Sequence, residues 1–181
     1  MIYLVTNRKL ITTGTLLDKI EKAMEKGIAG IILREKDLTT KDLLPLAKQI
    51  KELTKDTKVQ FFVNGNIEVA QDLHTGVHLS FEAFVENKPK LNQKQKMGVS
   101  VHSLEEAKKA EKLGASYLLA GHVFSTDCKK GLAPRGLDFI KNIKENTSIP
   151  LIAIGGIDYN NMHQVYQSGA DGVAMMSYFM K

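Results

Sequence analysis

The chain has 181 residues, of which 43% are hydrophobic, 25% charged and none tryptophan. This is enough apolar material for one packed core, and it excludes a disordered, fibrous or membrane-embedded chain. The formal charge of +5 points to an anionic small molecule rather than nucleic acid, because the lysines alternate with acids along helical segments and no basic motif interleaves with aromatics.

From the first residues to the last, short β-branched runs alternate with longer lysine-rich amphipathic runs, which is the pattern of repeated βα units and a parallel sheet. Strands are predicted over 2–6, 30–36, 59–64, 76–79, 97–102, 117–123, 151–154 and 172–176. Helical patterns fall between them at 15–26, 40–54, 67–74, 81–86, 104–113, 137–145 and 160–167. In the segments EKGIAG, EKLGAS and QSGADG a helix ends at Gly27, Gly114 or Gly169, where a left-handed cap is needed, and a strand follows at once. Ser103 and Glu106 have the spacing of a capping box that opens the fifth helix.

Eight parallel strands without a Gly-rich dinucleotide fingerprint after the first favour a closed (β/α)8 TIM barrel over an open doubly wound sheet. A single domain over residues 1–181 is expected. The fold typically takes ~250 residues, so the eighth helix should be short or missing. An apolar patch left there would suit a partner subunit, hence a possible homodimer.

Chemistry in such barrels gathers at the C-terminal ends of the strands. After the second strand, alternation places Arg34 and Lys36 on one face and Glu35 on the other. Arg34 and Lys36 would form a cationic mouth for a phosphate or carboxylate; the alternative is a buried Arg34 paired with an acid of a neighbouring strand. After the seventh, AIGGI supplies Gly155 and Gly156, whose N–H groups a ligand can approach without a Cβ in the way, and the eighth ends in Met176 and Ser177. The densest polar cluster is GHVFSTDCKKGLAPRGLDF after the sixth strand. Its His122 carries the side chain best suited to exchange a proton near neutral pH, although a lone histidine is more often structural.

His78 and His102 lie near strand ends and would line the mouth, whereas His74 and His163 fall on helical segments. No acids stand near enough in sequence to make a metal site with His78 and His102. The single cysteine, Cys128, can neither close an internal disulfide nor form a zinc site, which fits a reducing compartment, and no thiol-enzyme motif surrounds it. MIYLVTNRKL lacks the regions of a signal peptide, and no apolar run approaches the ~20 residues of a membrane span. A cytoplasmic location without membrane partners is expected.

An ordered set of motifs then appears: LREKD at 33–37, GVHL at 76–79, GVSVHSLEEA at 98–107, AIGGI at 153–157 and GADGVAMMS at 169–177. With these the chain resembles the thiamin phosphate synthase family over nearly its whole length. The resemblance implies the barrel, and a thiazole phosphate held by the backbone of Gly155, Gly156, Met176 and Ser177. Synthases of this kind carry acids in an N-D-R type motif after the third strand and a G-Q-x-D type motif after the fourth, for the magnesium of a pyrimidine pyrophosphate. Here the first reads Asn64, Gly65, Asn66 and the second Ser80, Phe81, Glu82, Ala83; Glu82 could replace one of the two acids. The glutamine that usually precedes LREK is Ile32.

After the sixth strand, GHVFSTDCKKG replaces the synthase pattern G-P-x-F-x-T-x-T-K and is similar to the thiazole tautomerase branch, with His122 as its histidine. The resemblance then implies a metal-independent aromatisation without cofactors. A carboxylated dihydrothiazole phosphate loses a ring proton and regains one on its exocyclic carbon, with His122 as the catalytic residue. Arg34 or Lys36 would hold the carboxylate, Ser100 or His102 would line the ring, and Asn64 and Lys130 would complete the substrate contacts. An active synthase and a non-catalytic thiazole-phosphate-binding barrel are the alternatives.

Overall fold

The computed structural model describes residues 1–92, 94–129 and 131–181, without the side chain of Cys128. Its eight strands are β1 (Ile2–Val5), β2 (Gly30–Leu33), β3 (Gln60–Asn64), β4 (Gly76–Ser80), β5 (Met97–Val101), β6 (Tyr117–Gly121), β7 (Leu151–Ile154) and β8 (Gly172–Met175). They close in sequence order into a barrel, every neighbour parallel, with β1 pairing β8. The helices outside it are α1 (Leu16–Glu25), α2 (Thr40–Thr54), α3 (Ile67–Asp72), α4 (Phe81–Asn87), α5 (Leu104–Lys112), α6 (Gly136–Asn146), α7 (Met162–Gln167) and α8 (Ser177–Met180).

Alternation along the strands sorts the core into two layers. Leu4, Ile31, Val63, Val77, Val99, Leu118, Ala153 and Val173 face the helices, in one continuous cluster with residues such as Ile20, Ile50, Ala107 and Ile140. Tyr3, Val5, Ile32, Phe62, Tyr117, Leu119, Ile152 and Ala174 fill the interior. Toward the N-terminal end of the strands the interior is floored by three rings, Tyr3, Phe62 and Tyr117, with centroids 5.1–6.4 Å apart. Each ring lies across a glycine of an adjacent strand: Tyr3 over Gly30, Phe62 over Gly76 and Tyr117 over Gly98, where any Cβ would overlap the ring.

Every predicted strand is present, but several stop short of their expected ends. The expected 30–36 ends at Leu33 because the Arg34 N–H leaves the ladder and donates to Thr6 Oγ1 (2.9 Å). Helix α7 starts at Met162 rather than 160, since Asp158 Oδ1 accepts the N–H groups of Asn160 and Asn161 and holds them in a turn. The left-handed caps at Gly27, Gly114 and Gly169 are as expected, with φ of 76°, 87° and 97°. At α5 the capping box is only half formed. Ser103 Oγ accepts from Glu106 N (3.1 Å), but the Glu106 carboxylate reaches one residue further back, to His102 N (2.7 Å).

The eighth helix is short, as expected, yet it covers the surface beside α1: Phe179 and Met180 are buried. The large apolar side chains left exposed among the described residues are Met1, Leu132 and Tyr178, from different parts of the chain. The surface that a missing eighth helix would have left bare is thus covered in part by α8 itself. No helix among the described residues is long and apolar enough to cross a membrane.

Candidate active site

At the C-terminal ends of the strands the barrel opens into a cavity of about 890 Å³. Arg34 and Lys36 line it just after β2, Asn64 at the end of β3, Ser100 on β5 and His102 after it, His122 after β6, Gly155 and Gly156 after β7, and Met176 and Ser177 after β8. One mouth thus gathers every residue that the sequence singled out as substrate-binding or catalytic, save Lys130, which lies outside the described residues. Ser125, Thr126 and Asp127, from the polar cluster after β6, line the cavity too; Asp158, Tyr178 and Lys181 also line it and were not foreseen, because they sit on a loop and at the chain end, where no periodicity marks a face.

The cationic side of the mouth is built by neutralising its acids elsewhere. Glu35, buried on the opposite face from Arg34, accepts from Thr6 Oγ1 (2.7 Å), from Arg8 N (3.1 Å) and from the Arg8 guanidinium (3.0 Å). The same guanidinium holds Asp37 through two contacts of 2.8 Å, and this pairing keeps the Asp37 carboxyl well below the usual carboxylate range. With both acids of LREKD held by Arg8, the half-buried Arg34 guanidinium has no acid partner among the described residues. The alternative of an Arg34 ion pair with a neighbouring strand is thereby corrected. Arg8 itself was missed; its only signal is the NRK triplet at the end of the first strand.

His122 follows β6 directly, and the Gly121–His122 peptide is cis. Its Nε2 lies 3.3 Å from the Leu132 carbonyl. The loop that carries it is tied to β7 by Val123 N to Ile154 O (3.0 Å) and Phe124 N to Gly155 O (2.9 Å), and to its own return by Arg135 N to His122 O (2.9 Å). Gly155 and Gly156 allow this close passage. At Gly155, with φ of 109°, a Cβ would overlap His122 Cβ and lie 2.6 Å from its Cα; at Gly156 it would lie 2.5 Å from the Ser125 carbonyl. The glycine pair therefore has two roles, since among the described residues its N–H groups have no acceptor in the chain and remain open to an anion, as does that of Ser177.

His78 lines the cavity, as expected, but from its floor rather than its rim. It is buried beneath the mouth, 2.8 Å from both Tyr117 Oη and Ser100 Oγ, and burial together with the nearby Arg34 charge pushes its pKa down to about 3. His102 does line the rim, its backbone held by Glu106. His74 ends its helical segment with φ of 49°, exposed, in keeping with a capping role.

The magnesium ligands of a synthase do not fit this mouth. Gly65 and Ala83 have no carboxylate, and Asn66 caps α3 by accepting from Val69 N (2.9 Å). Glu82, the possible replacement, is exposed and does not line the cavity: its carboxylate is held by its own N–H and by Ser80, which lowers its pKa. The acids that line the cavity among the described residues are Asp127 and Asp158, on the far side. Nor does any group of three or more described His, Cys, Asp or Glu side chains come together in a metal-holding arrangement.

A closed parallel barrel whose mouth carries, among the described residues, open backbone N–H groups after β7 and β8, cationic side chains without acid partners after β2 and an imidazole after β6 defines the class: a (β/α)8 barrel with a cationic, glycine-lined mouth. The chain matches the family model described as Thiamine monophosphate synthase over residues 2–179, and it belongs to that family. It is 38% identical to the thiamine-phosphate synthase of Pyrococcus abyssi (99% of this chain, 86% of that one) and 36% identical to the putative thiamine-phosphate synthase 2 of Aquifex aeolicus (99% and 97%). The solved thiamine phosphate pyrophosphorylase from Pyrococcus furiosus matches with a TM-score of 0.83 and 35% identity, over 97% of this chain and 85% of that one. A 3-hexulose-6-phosphate synthase, with a TM-score of 0.66 and 15% identity, shares the fold alone. The two sequence relatives are named synthases, not tautomerases.

Proposed function

We propose that this protein is a thiazole tautomerase within the thiamine monophosphate synthase family, aromatising a carboxylated dihydrothiazole phosphate by proton transfer. The observation that carries this reading is the make-up of the mouth: β3 and β4 contribute Asn64, His78 and Ser80 and no carboxylate, while His122 lines the same cavity. Without acids there, a metal–pyrophosphate finds no carboxylate ligand on that side. A proton shuttle needs none.

A carbonyl only accepts hydrogen bonds, so a neutral His122 that contacts Leu132 O carries its proton on Nε2 and keeps the lone pair on Nδ1. Nδ1 takes the proton from the ring carbon bearing the carboxylate, and the C–H electron pair enters the ring as the exocyclic double bond shifts. The same imidazolium returns the proton to the exocyclic carbon, so the reaction is redox-neutral and atoms balance. Arg34 and Lys36 hold the carboxylate, and the N–H groups of Gly155, Gly156 and Ser177 hold the phosphate.

The names of the relatives favour a second reading, a synthase that joins a thiazole phosphate to a pyrimidine pyrophosphate. One experiment separates the two. The dihydro tautomer is followed by ultraviolet absorbance in the presence of EDTA, with native protein and with His122→Ala; a parallel sample receives both synthase substrates and Mg²⁺. The tautomerase reading predicts acceleration in EDTA, a loss of about 10²-fold or more in His122→Ala, and no thiamin phosphate. Thiamin phosphate formation with no effect on the tautomer would establish the synthase reading instead. Inactivity in both assays would leave a barrel that only binds.

A further inference from the structure

Beneath the mouth, three adjacent strands place one residue each on a common level. His78 of β4 is paired in register with Gly98 of β5, and Gly98 with Tyr117 of β6. Because Gly98 has no Cβ, which would overlap Tyr117 Cζ and Oη, the phenol crosses β5 and meets the imidazole of β4. Tyr117 Oη lies 2.8 Å from His78 Nδ1, and His78 Nε2 lies 2.8 Å from Ser100 Oγ, one inward position further up β5. Ser100 lines the cavity.

The direction of these two hydrogen bonds follows from counting donors. Burial and the Arg34 charge keep His78 neutral, with one N–H and one lone pair. Among the described residues, Tyr117 Oη has His78 Nδ1 as its hydrogen-bond partner, in a floor otherwise made of aromatic and aliphatic side chains. If Nδ1 carried the proton, it would donate to Tyr117 and the phenolic hydrogen would be buried without an acceptor, which is costly. The phenol therefore donates to Nδ1, the imidazole proton sits on Nε2, and Nε2–H donates to Ser100 Oγ. The Ser100 hydrogen then cannot turn back toward His78.

We infer that Tyr117 and His78 are positioning residues that fix Ser100 as a hydrogen-bond donor aimed into the mouth, toward an acceptor atom of the ligand such as a carboxylate oxygen or a ring heteroatom. The relay gives the serine one polarity, whereas an isolated hydroxyl could rotate to either. The ligand half of this inference rests on the mouth binding a thiazole phosphate as proposed above; the relay half does not.

Two measurements test it. Long-range ¹H–¹⁵N correlation spectra of the native protein should show His78 Nδ1 with the shift of a lone-pair nitrogen and Nε2 with that of an N–H; the opposite assignment overturns the relay whatever the protein binds. Affinity for the aromatic carboxythiazole phosphate is then measured for native protein, Tyr117→Phe, Ser100→Ala and the double variant. Each single change should weaken binding about fivefold, the worth of one neutral hydrogen bond, and the double variant should bind no worse than Ser100→Ala, because Tyr117 acts through Ser100. Independent losses that multiply would show Tyr117 to be merely structural and overturn the inference. If the native protein fails to bind this probe, the proposed function fails with it, while the spectra still decide the relay.

Discussion

His78 makes acid stability a test of the buried relay. Its pKa is pushed from an ordinary 6.5 to about 3 in the folded chain by burial first and the Arg34 charge second, and the imidazole is fully enclosed. Between these values the unfolded chain binds a proton that the folded chain does not. Stability contributed by the neutral form is therefore complete above about pH 6.5 and falls as pH drops through the window toward 3. At pH 5 the loss amounts to about 1.5 pH intervals of 1.36 kcal/mol each, or about 2 kcal/mol. For a chain of this size that lowers the melting temperature by about 4–8 °C. The step from pH 7 to pH 5 lies above the ordinary carboxylate values of 3.8 and 4.5, below which the lowered Asp18 and Glu111 begin to cost stability in turn. Urea unfolding at pH 7 and pH 5 of the native protein and of His78→Gln, which keeps a polar amide but cannot titrate, measures the difference. The native protein should lose about 2 kcal/mol more than the variant. Equal losses would mean that His78 takes up a proton in the folded state, and the account of its neutrality would be wrong.

Gly155→Ala should destabilise the fold by about 1–3 kcal/mol, through a Cβ that meets His122 and a φ of 109° that side chains avoid. It should also lower tautomerase turnover in protein shown by circular dichroism to be folded; a variant with native stability and rate would refute the steric coupling of β7 to His122. Arg8→Ala should cost about 2 kcal/mol, below the 3–5 of a fully enclosed pair because the guanidinium is about one-third exposed, and a further Glu35→Gln should recover part of that loss. Chemical denaturation of the two variants checks this, and no recovery would show that the carboxylate of Glu35 is not what Arg8 stabilises.

The strand count, the parallel closure and the cationic, glycine-lined mouth were legible because each depends on one segment at a time. Alternation after Leu33 put Arg34 and Glu35 on opposite faces, and the structure has them so. The same alternation overran the end of β2, because polar residues keep the period after the ladder stops; only the Thr6 hydroxyl, capturing the Arg34 N–H, ends the strand. What depends on two or three segments at once stayed hidden. Arg8 became important only when β1 and β2 lay side by side. His78 lines the cavity as expected, but its depth and its bond to Tyr117 come from the register of β4, β5 and β6, which sets it level with a glycine and a tyrosine, and no single segment carries that register. Family resemblance pointed to His122 and to the lost metal acids, but it contained no hint that Glu82 would turn to its own helix start.

The ring-over-glycine floor has an evolutionary consequence. Tyr3 with Gly30, Phe62 with Gly76, and Tyr117 with Gly98 each occupy one volume shared between two strands, so neither member can change alone. A side chain gained at the glycine must coincide with a smaller residue in place of the ring, and a lost ring opens a void that the bare glycine cannot fill. Across descendants of this chain the six positions should therefore drift as three linked pairs. The Tyr117–Gly98 pair should be the slowest of them, because its replacement would also free the hydroxyl of Ser100 to turn.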